Sequence, residues 1–194
     1  MSGAAFFTHL DLVRGYWQID VDEAYHARRQ PFLRPKGHFQ FKRMPFGLTN
    51  APASFQRAMN SILYGLNWKD CLVYLDDVII FAKNLEEHNH GLDAALERLE
   101  DAGVKLNAAK CLFLQEKTTF LGHVVSREGV TTDPEKTKAL LQYPEPSDVS
   151  SLRAFLGCAG YYTHFVQNFA EIAAPLYHLE KKGTIFHWTK QSTR

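Results

Sequence analysis

Strand-like and helix-like spacings of apolar residues alternate along the 194-residue chain. The stretch "AAFFTHLDL" (4–12) reads as a β-strand. Pro31, Pro35 and Gly37 punctuate a loop, and "HFQFKRM" (38–44) predicts a short strand after it. The turn-rich "PFGLTNAP" (45–52) leads into a helix. Asn50 is its expected cap, Pro52 falls in its first turn, and Phe55, Ala58, Met59, Ile62 and Leu63 recur at helical spacing. "CLVYLDDVIIFA" (71–82) reads as a buried β-hairpin. A second amphipathic helix is expected over about 85–102, with Leu92, Ala95, Leu96 and Leu99 on one face and Gly103 as its stop. "TTFLGHVVS" (118–126) predicts one more strand. This interleaving predicts an α+β fold, an antiparallel sheet backed by helices, over residues 1–129.

The pattern changes after Gly129. "TTDPEKTKALL" has Asp133 as a cap and Pro134 at the first helical position, and "YPEPSD" is a rigid linker. "SDVSSLRAFLGCAGYY" follows as a capped helix with Leu152, Phe155, Leu156 and Ala159 on one side. From about residue 131 a small all-helical unit is expected, and "GTIFHW" (183–188) is expected to begin a further strand.

Composition narrows the class. With 45% hydrophobic and 22% charged residues the chain resembles an ordinary globular protein, and no stretch approaches the 18 apolar residues of a membrane span. The opening "MSGAAFFTHLD" lacks a basic leader region, and a strand entered so early suggests a fragment of something longer. The three cysteines, Cys71, Cys111 and Cys158, form no CxxC pair, which fits a reducing intracellular compartment. A net charge of +1 neither demands nor excludes nucleic acid. Locally, however, Arg28, Arg29, Arg34, Lys36, Lys42 and Arg43 interleave with Phe32, His38, Phe39 and Phe41 without an acid among them. Most such runs are solvated faces, yet this mixture leans toward a phosphate-facing surface.

The candidate chemistry lies in the hairpin. Asp is depleted from strands, and a buried unpaired carboxylate is costly, so Asp76 and Asp77 between Tyr74-Leu75 and Val78-Ile79 need a reason. An exposed turn with its acids in water is the plain one, although a two-residue turn favours Asn-Gly or Asp-Gly. Asp11, in "HLDL", is a third acid inside an apolar strand. If the strands are neighbours, three carboxylates converge on one sheet edge, where they repel and raise one another's pKa. Mg²⁺ takes such hard oxygens while keeping waters and substrate phosphates. Two ions roughly 3.5–4 Å apart can clamp the attacking and leaving oxygens of a phosphoryl displacement. The residues therefore point to metal-assisted phosphoryl or nucleotidyl transfer, without saying which.

Five ordered blocks say more: "LDLVRGYWQI", "MPFGLTNAPASFQRAMN", "YLDDVIIFA", "LERLEDAGVKLNAAKC" and "FLGHVVS". Together they resemble the reverse transcriptase of gypsy-type LTR retrotransposons, related to the retroviral enzymes, over nearly the whole chain. The resemblance implies a right-hand polymerase palm over 1–129, with a partial fingers segment near 24–43. It implies a thumb and the start of a connection over 130–194. Asp11 and Asp76 would be the principal metal ligands, with the Leu12 carbonyl assisting and Asp77 completing the triad as electrostatic support. The implied cofactors are two Mg²⁺ ions, with Mn²⁺ as a substitute.

By the same resemblance, Tyr16 would lie beneath the sugar of the incoming nucleotide and exclude a 2′-OH by its bulk. Phe46 and Gly47 would line the nucleotide pocket, and Gln56 would face nucleotide or template. Lys110 would protonate the pyrophosphate leaving group. Phe120, Leu121, Gly122 and His123 would hold the primer end with Tyr74, and the helix from Leu152 to Tyr162 would track the duplex through its backbone. Each has a plainer alternative: a core aromatic for Tyr16, a solvent-facing polar residue for Gln56, a surface lysine for Lys110, a turn acid for Asp77. The implied partners are an RNA or DNA template with its primer, dNTPs, and the rest of a Pol polyprotein with protease, ribonuclease H and integrase. The implied location is the cytoplasm or virus-like particles.

Departures from the family pattern are also visible. The fingers expected before "LDL" and the ribonuclease H expected after the thumb are missing from these residues, and "RRQPFLRP" stands where relatives read "KTAFRT". Its prolines remove an amide donor and restrict their neighbours, which shortens the strand there. The expected function is an RNA-directed DNA polymerase domain. The alternative is a truncated or domesticated remnant that binds nucleic acid or protein. A two-metal nuclease is set aside, because it gains nothing from "MPFGLTNAPASF".

Overall fold

The computed structural model describes residues 3–21, 32–181, 184 and 186–188. The chain divides into two compact units, Met1–Phe120 with Val125–Gly129 and Leu121–Val124 with Val130–Arg194. In chain order the described elements up to the first-unit boundary are β1 (Phe6–Asp11), β2 (Phe32–Arg34), β3 (Gly37–Phe39), α1 (Ala51–Ile62), β4 (Cys71–Tyr74), β5 (Asp77–Ala82), α2 (Leu85–Asp101), β6 (Leu112–Gln115) and β7 (Lys117–Phe120). The main sheet has the order β4-β5-β1-β6 and is antiparallel throughout.

Side-chain alternation gives the sheet two covered faces. Leu10, Val78 and Ile80 pack with Ala51, Phe55 and Met59 of α1 and Ala95 and Leu99 of α2. On the opposite face Phe7 and Ile79 pack with Ala4, Phe120 and Val125. Burial on both faces explains why the hairpin reads as a continuous apolar run. Asp11 pairs across from Asp77, and His9 from Ile79, so His9, Asp11 and Asp77 continue the second face away from the helices.

Helix α2 forms as expected: the Asn84 side chain accepts from the Glu87 N–H at 2.9 Å, and Gly103 at φ +67° ends it. Helix α1 also lies where predicted, but Asn50 has helical backbone angles and its side chain makes no capping bond. The strand predicted over 38–44 stops at Phe39. Val21 N–H donates to the Lys42 carbonyl and Met44 N–H to the Ile19 carbonyl, both at 3.0 Å, so the rest of it pairs with residues 19–21 instead. Of the predicted fingers segment near 24–43, residues 24–31, including Arg28 and Arg29, lie outside the described residues. Arg43 is paired with Asp20 at 2.9 Å.

The single strand predicted over 118–126 is a hairpin. β7 and β8 (His123–Ser126) are joined by Leu121 at φ +50° and Gly122 at φ +73°, and β9 (Gly129–Thr132) completes a three-stranded sheet. Two consecutive positive φ values are what a tight hairpin turn requires. The second unit then adds α3 (Pro134–Leu141), α4 (Val149–Gly160) and α5 (Phe169–Leu179). Asp133 caps α3 through the Glu135 N–H at 2.9 Å, and Asp148 forms a capping box with Ser151 at the start of α4. Leu152 and Leu156 pack against Ala173 and Leu176 of α5. The strand expected over 183–188 is not formed by its described residues: Phe186 and Trp188 pack onto this helical core, while Gly183 and Ile185 lie outside the described residues. Among the described residues no helix is long and apolar enough to cross a membrane.

Candidate active site

β1 ends at Asp11 directly opposite Asp77, the first residue of β5, and Asp76 closes the two-residue turn from β4. The Leu12 N–H donates to the Asp76 carbonyl at 3.1 Å, which ties the acidic turn to the Asp11 strand. The turn is strained, because Leu75 stands at φ +52°, a conformation that costs an L-residue roughly 1–2 kcal/mol. Gln56 of α1 braces it from below. Its Oε1 accepts from the Leu75 N–H at 2.7 Å and its Nε2 donates to the Val73 carbonyl at 3.0 Å. The amide expected to face nucleotide or template is thus committed to the turn's backbone.

The three carboxylates share this corner but point to different partners. Asp77 Oδ1 lies 3.1 Å from His9 Nε2, and Asp11 Oδ2 lies 3.9 Å from Lys110 Nζ. Asp76 lies over Gly15, where an added Cβ would stand 3.3 Å from the Asp76 Cβ and 3.5 Å from its Oδ2. Among the described residues no group of three or more His, Cys, Asp or Glu side chains is gathered closely enough to hold a metal ion. Asp11, Asp76 and Asp77 nonetheless stand together at one sheet edge, through the Asp11–Asp77 strand pairing and the Leu12 N–H bond to the Asp76 carbonyl. The donor chemistry still suits Mg²⁺, since Asp11, Asp76 and the Leu12 carbonyl offer only hard oxygens from two backbone segments that are hydrogen-bonded together. Lys110 is mostly exposed, so its pairing with Asp11 contributes little to stability.

Of the residues expected at the nucleotide, Tyr16 and Phe46 are in ring contact. The half-buried Tyr16 ring lies 5.3 Å from Phe46 and 5.4 Å from Phe55. Phe46 is 65% exposed, and Gly47 at φ +90° has open space where a Cβ would stand. The loop thus presents an aromatic face beside accessible backbone.

The expected primer-holding residues are divided between the two units. Tyr74 is exposed at the end of β4, whereas Phe120 is buried in the first unit's core beside Phe7 and Ile79. In the second unit Leu121 and Gly122 form the hairpin tip, and the Tyr161 hydroxyl donates to the Leu121 carbonyl. His123 stacks on Tyr161 with centroids 5.1 Å apart and planes at 9°, and Phe165 and Tyr162 flank the same ring. Burial pushes the Tyr162 phenol above its usual pKa. Tyr161 and Phe165 around His123 in the second unit, and His9 and Gly15 beside the carboxylates in the first, were not singled out as site residues from sequence. For Tyr161 the available signal was the "GYY" that closes its helix.

The sequence pattern of the family described as "Reverse transcriptase (RNA-dependent DNA polymerase)" matches residues 1–125. The chain belongs to the reverse transcriptase family. It is 46% identical over 179 residues to the retrovirus-related Pol polyprotein from transposon 297 of Drosophila melanogaster, covering 92% of this chain and 17% of that protein. To the corresponding polyprotein from transposon gypsy of the same organism it is 44% identical over 173 residues, covering 89% and 17%. The chain thus spans under a fifth of the length of these curated relatives. Among solved reverse transcriptases, a foamy viral protease-reverse transcriptase in complex with double-stranded DNA matches with a TM-score of 0.87 and 26% identity, covering 97% of this chain and 33% of that one. The same viral protein in complex with an RNA/DNA hybrid matches with a TM-score of 0.81 and 26% identity, covering 97% and 26%. The gypsy-type resemblance and the α+β fold with its antiparallel sheet stand as expected.

Proposed function

We propose that this chain carries the nucleotidyl-transfer centre of a retrotransposon Pol polyprotein, extending a primer on an RNA or DNA template with dNTPs. The observation that carries the reading is the hydrogen-bonded joint between the Asp11 strand and the Asp76–Asp77 turn, inside the stretch that matches the family. In the reaction a bond forms between the primer O3′ and the α-phosphorus, and the bond from that phosphorus to the pyrophosphate oxygen breaks. Divalent ions held by Asp11, Asp76 and the Leu12 carbonyl would neutralise charge on the transferred phosphate.

The chain's own residues supply the rest. Asp77, joined to His9, adds negative field to the corner. Tyr16, braced by Phe46 and Phe55, is a firm wall beneath the nucleotide sugar whose bulk selects against a 2′-OH. Lys110 donates a proton to the departing pyrophosphate and stabilises its charge. In the second unit the Leu121–Gly122 tip, with His123 stacked on Tyr161, suits the sugar-phosphate end of a primer, which is read by shape. The nucleic acids bound by the foamy viral proteins support this partner class.

Primer extension on an RNA template tests the reading, using this chain within the longer Pol context of its relatives. Incorporation that needs Mg²⁺ or Mn²⁺ and disappears in Asp11→Asn is expected. No incorporation with either metal, or incorporation indifferent to Asp11→Asn, would overturn it. A remnant that only binds nucleic acid is the other outcome the same experiment distinguishes. Salt-dependent binding of a hybrid without incorporation would support it.

A further inference from the structure

Gln18 ends the 3-10 turn that comes after Asp11, and its side-chain amide is used at both ends. Nε2 donates to the Val13 carbonyl at 2.7 Å and to the Lys105 carbonyl at 3.0 Å, while Oε1 accepts from the Lys105 N–H at 2.6 Å. The Lys105 carbonyl also accepts from the Val13 N–H at 2.9 Å, so one side chain closes a ring of hydrogen bonds between two backbone segments. Beyond that ring, the Asn107 N–H donates to the Asp11 carbonyl at 2.8 Å, and the Lys110 N–H to the Asn107 carbonyl at 2.9 Å. That turn delivers Lys110 Nζ to 3.9 Å from Asp11 Oδ2. The Gln18 carbonyl meanwhile accepts from Arg43 Nη1 at 2.9 Å, just before the Met44–Gly47 loop.

Three site-bearing segments, far apart in sequence, therefore meet at one partly exposed glutamine. Its amide bonds backbone groups 5 and 87 residues away, which ties the two segments to one another. We infer that Gln18 is a positioning residue: its amide sets the register between the Asp11 strand and the Lys105–Lys110 segment, and thereby the placement of Lys110 beside Asp11. The catalytic consequence rests on the polymerase reading, whereas the placement itself does not.

The test uses the full chain with Gln18→Met, which keeps the length and loses the hydrogen bonds. Gln18→Glu is a second variant that keeps the acceptor for the Lys105 N–H and loses both donors. Amide hydrogen exchange at Val13, Lys105 and Asn107 is expected to accelerate roughly three- to tenfold in Gln18→Met, with β4 and β5 unchanged. Limited acylation read by mass spectrometry is expected to show Lys110 more reactive, as in Asp11→Asn, while exposed Lys83 reacts as before. Should Gln18→Met fail to fold, Gln18→Glu must show the same two changes. Unaltered exchange at those three amides, or unaltered Lys110 reactivity, overturns the inference. Where incorporation is measurable, kcat falls with the nucleotide KM unchanged, and Gln18→Met adds nothing in a Lys110→Ala background. A kcat loss that persists in that background overturns it as well. Both activity-free changes without any incorporation uphold the positioning and count against the polymerase reading.

Discussion

Two hairpins turn through two residues each, and each forces a leucine into the left-handed region: Leu75 at φ +52° and Leu121 at φ +50°. The second turn residue differs between them. Gly122, at φ +73°, accepts the geometry without a Cβ penalty, so the β7–β8 turn resembles an ordinary tight hairpin. Its outside help is a hydroxyl from Tyr161 to one carbonyl. The β4–β5 turn instead has Asp76 after Leu75, and it is held by Gln56 from α1 and by the Leu12 N–H from the end of β1. Strain persists where surrounding elements over-determine it, and such places cluster at functional sites. The contrast separates a turn that shapes a tip from one that aims a carboxylate.

The largest expected effect breaks the two turns apart by function. Asp76→Asn should lower incorporation on the order of 10³-fold, with Asp77→Asn lowering it less and neither moving the thermal midpoint. A melting temperature that drops together with activity would make Asp76 a structural turn acid. Next comes the brace. Gln56→Met leaves the Leu75 N–H without its acceptor and should cost about 1–3 kcal/mol in urea unfolding. Gly122→Ala, forced to φ +73°, should cost roughly 1–2 kcal/mol. Tyr161→Phe should cost only about 0.5–1.5 kcal/mol. Equal losses for Gln56→Met and Tyr161→Phe would erase the distinction between a braced and a self-sufficient turn.

The smallest effect is a pH dependence behind the first hairpin. His88 is fully buried on α2, which lies against β5, and burial holds its pKa below the ordinary 6.5. As pH falls through about 6.5 the unfolded chain takes up the proton more readily than the folded one. The stability associated with neutral His88 is thus present above that pH and is lost on acidification toward the folded pKa. His88→Gln should flatten the decline in urea midpoint between about pH 7 and about pH 5. An unchanged slope would assign the decline to other groups.

Legibility in the sequence tracked the physics of each residue. Helix α2 was readable because Gly103 and an apolar stripe agree on its end and face, and the Asn84 cap found in the structure agrees with both. The acids were readable because Asp inside an apolar strand is an anomaly wherever it occurs. Gln18 was not, since a half-exposed glutamine looks solvated until its partner is known, and Gln56 was singled out for nucleotide or template rather than for the turn it braces; their partners lie 87 and 19 residues away. Strand β6 hid because Leu112, Phe113 and Leu114 are all exposed and show no alternation. Helix α5 carries Pro175 inside it and a left-handed Asn168 at its start, both of which read as breaks. Cys71 was counted only as a reducing-compartment clue. Burial, with Asp70 beside it, pushes its thiol up to about 12, which leaves it inert inside the strand that leads to the acidic turn.

Strand β1 lies between β5 and β6, so Asp11 belongs to a strand with neighbours on both sides, and both arrive late in synthesis. When a ribosome releases β1, the pairing edges at Asp77–Ala82 and Leu112–Gln115 have yet to be made. At about 5–20 residues per second, the second neighbour arrives roughly 5–20 s later. Throughout that interval an apolar strand with two open edges waits beside other nascent chains, a template for mispairing. Synonymous codon changes that slow translation between Lys83 and Cys111 would lengthen that exposure, so the yield of folded chain depends on the tempo of a segment that contributes none of the three carboxylates.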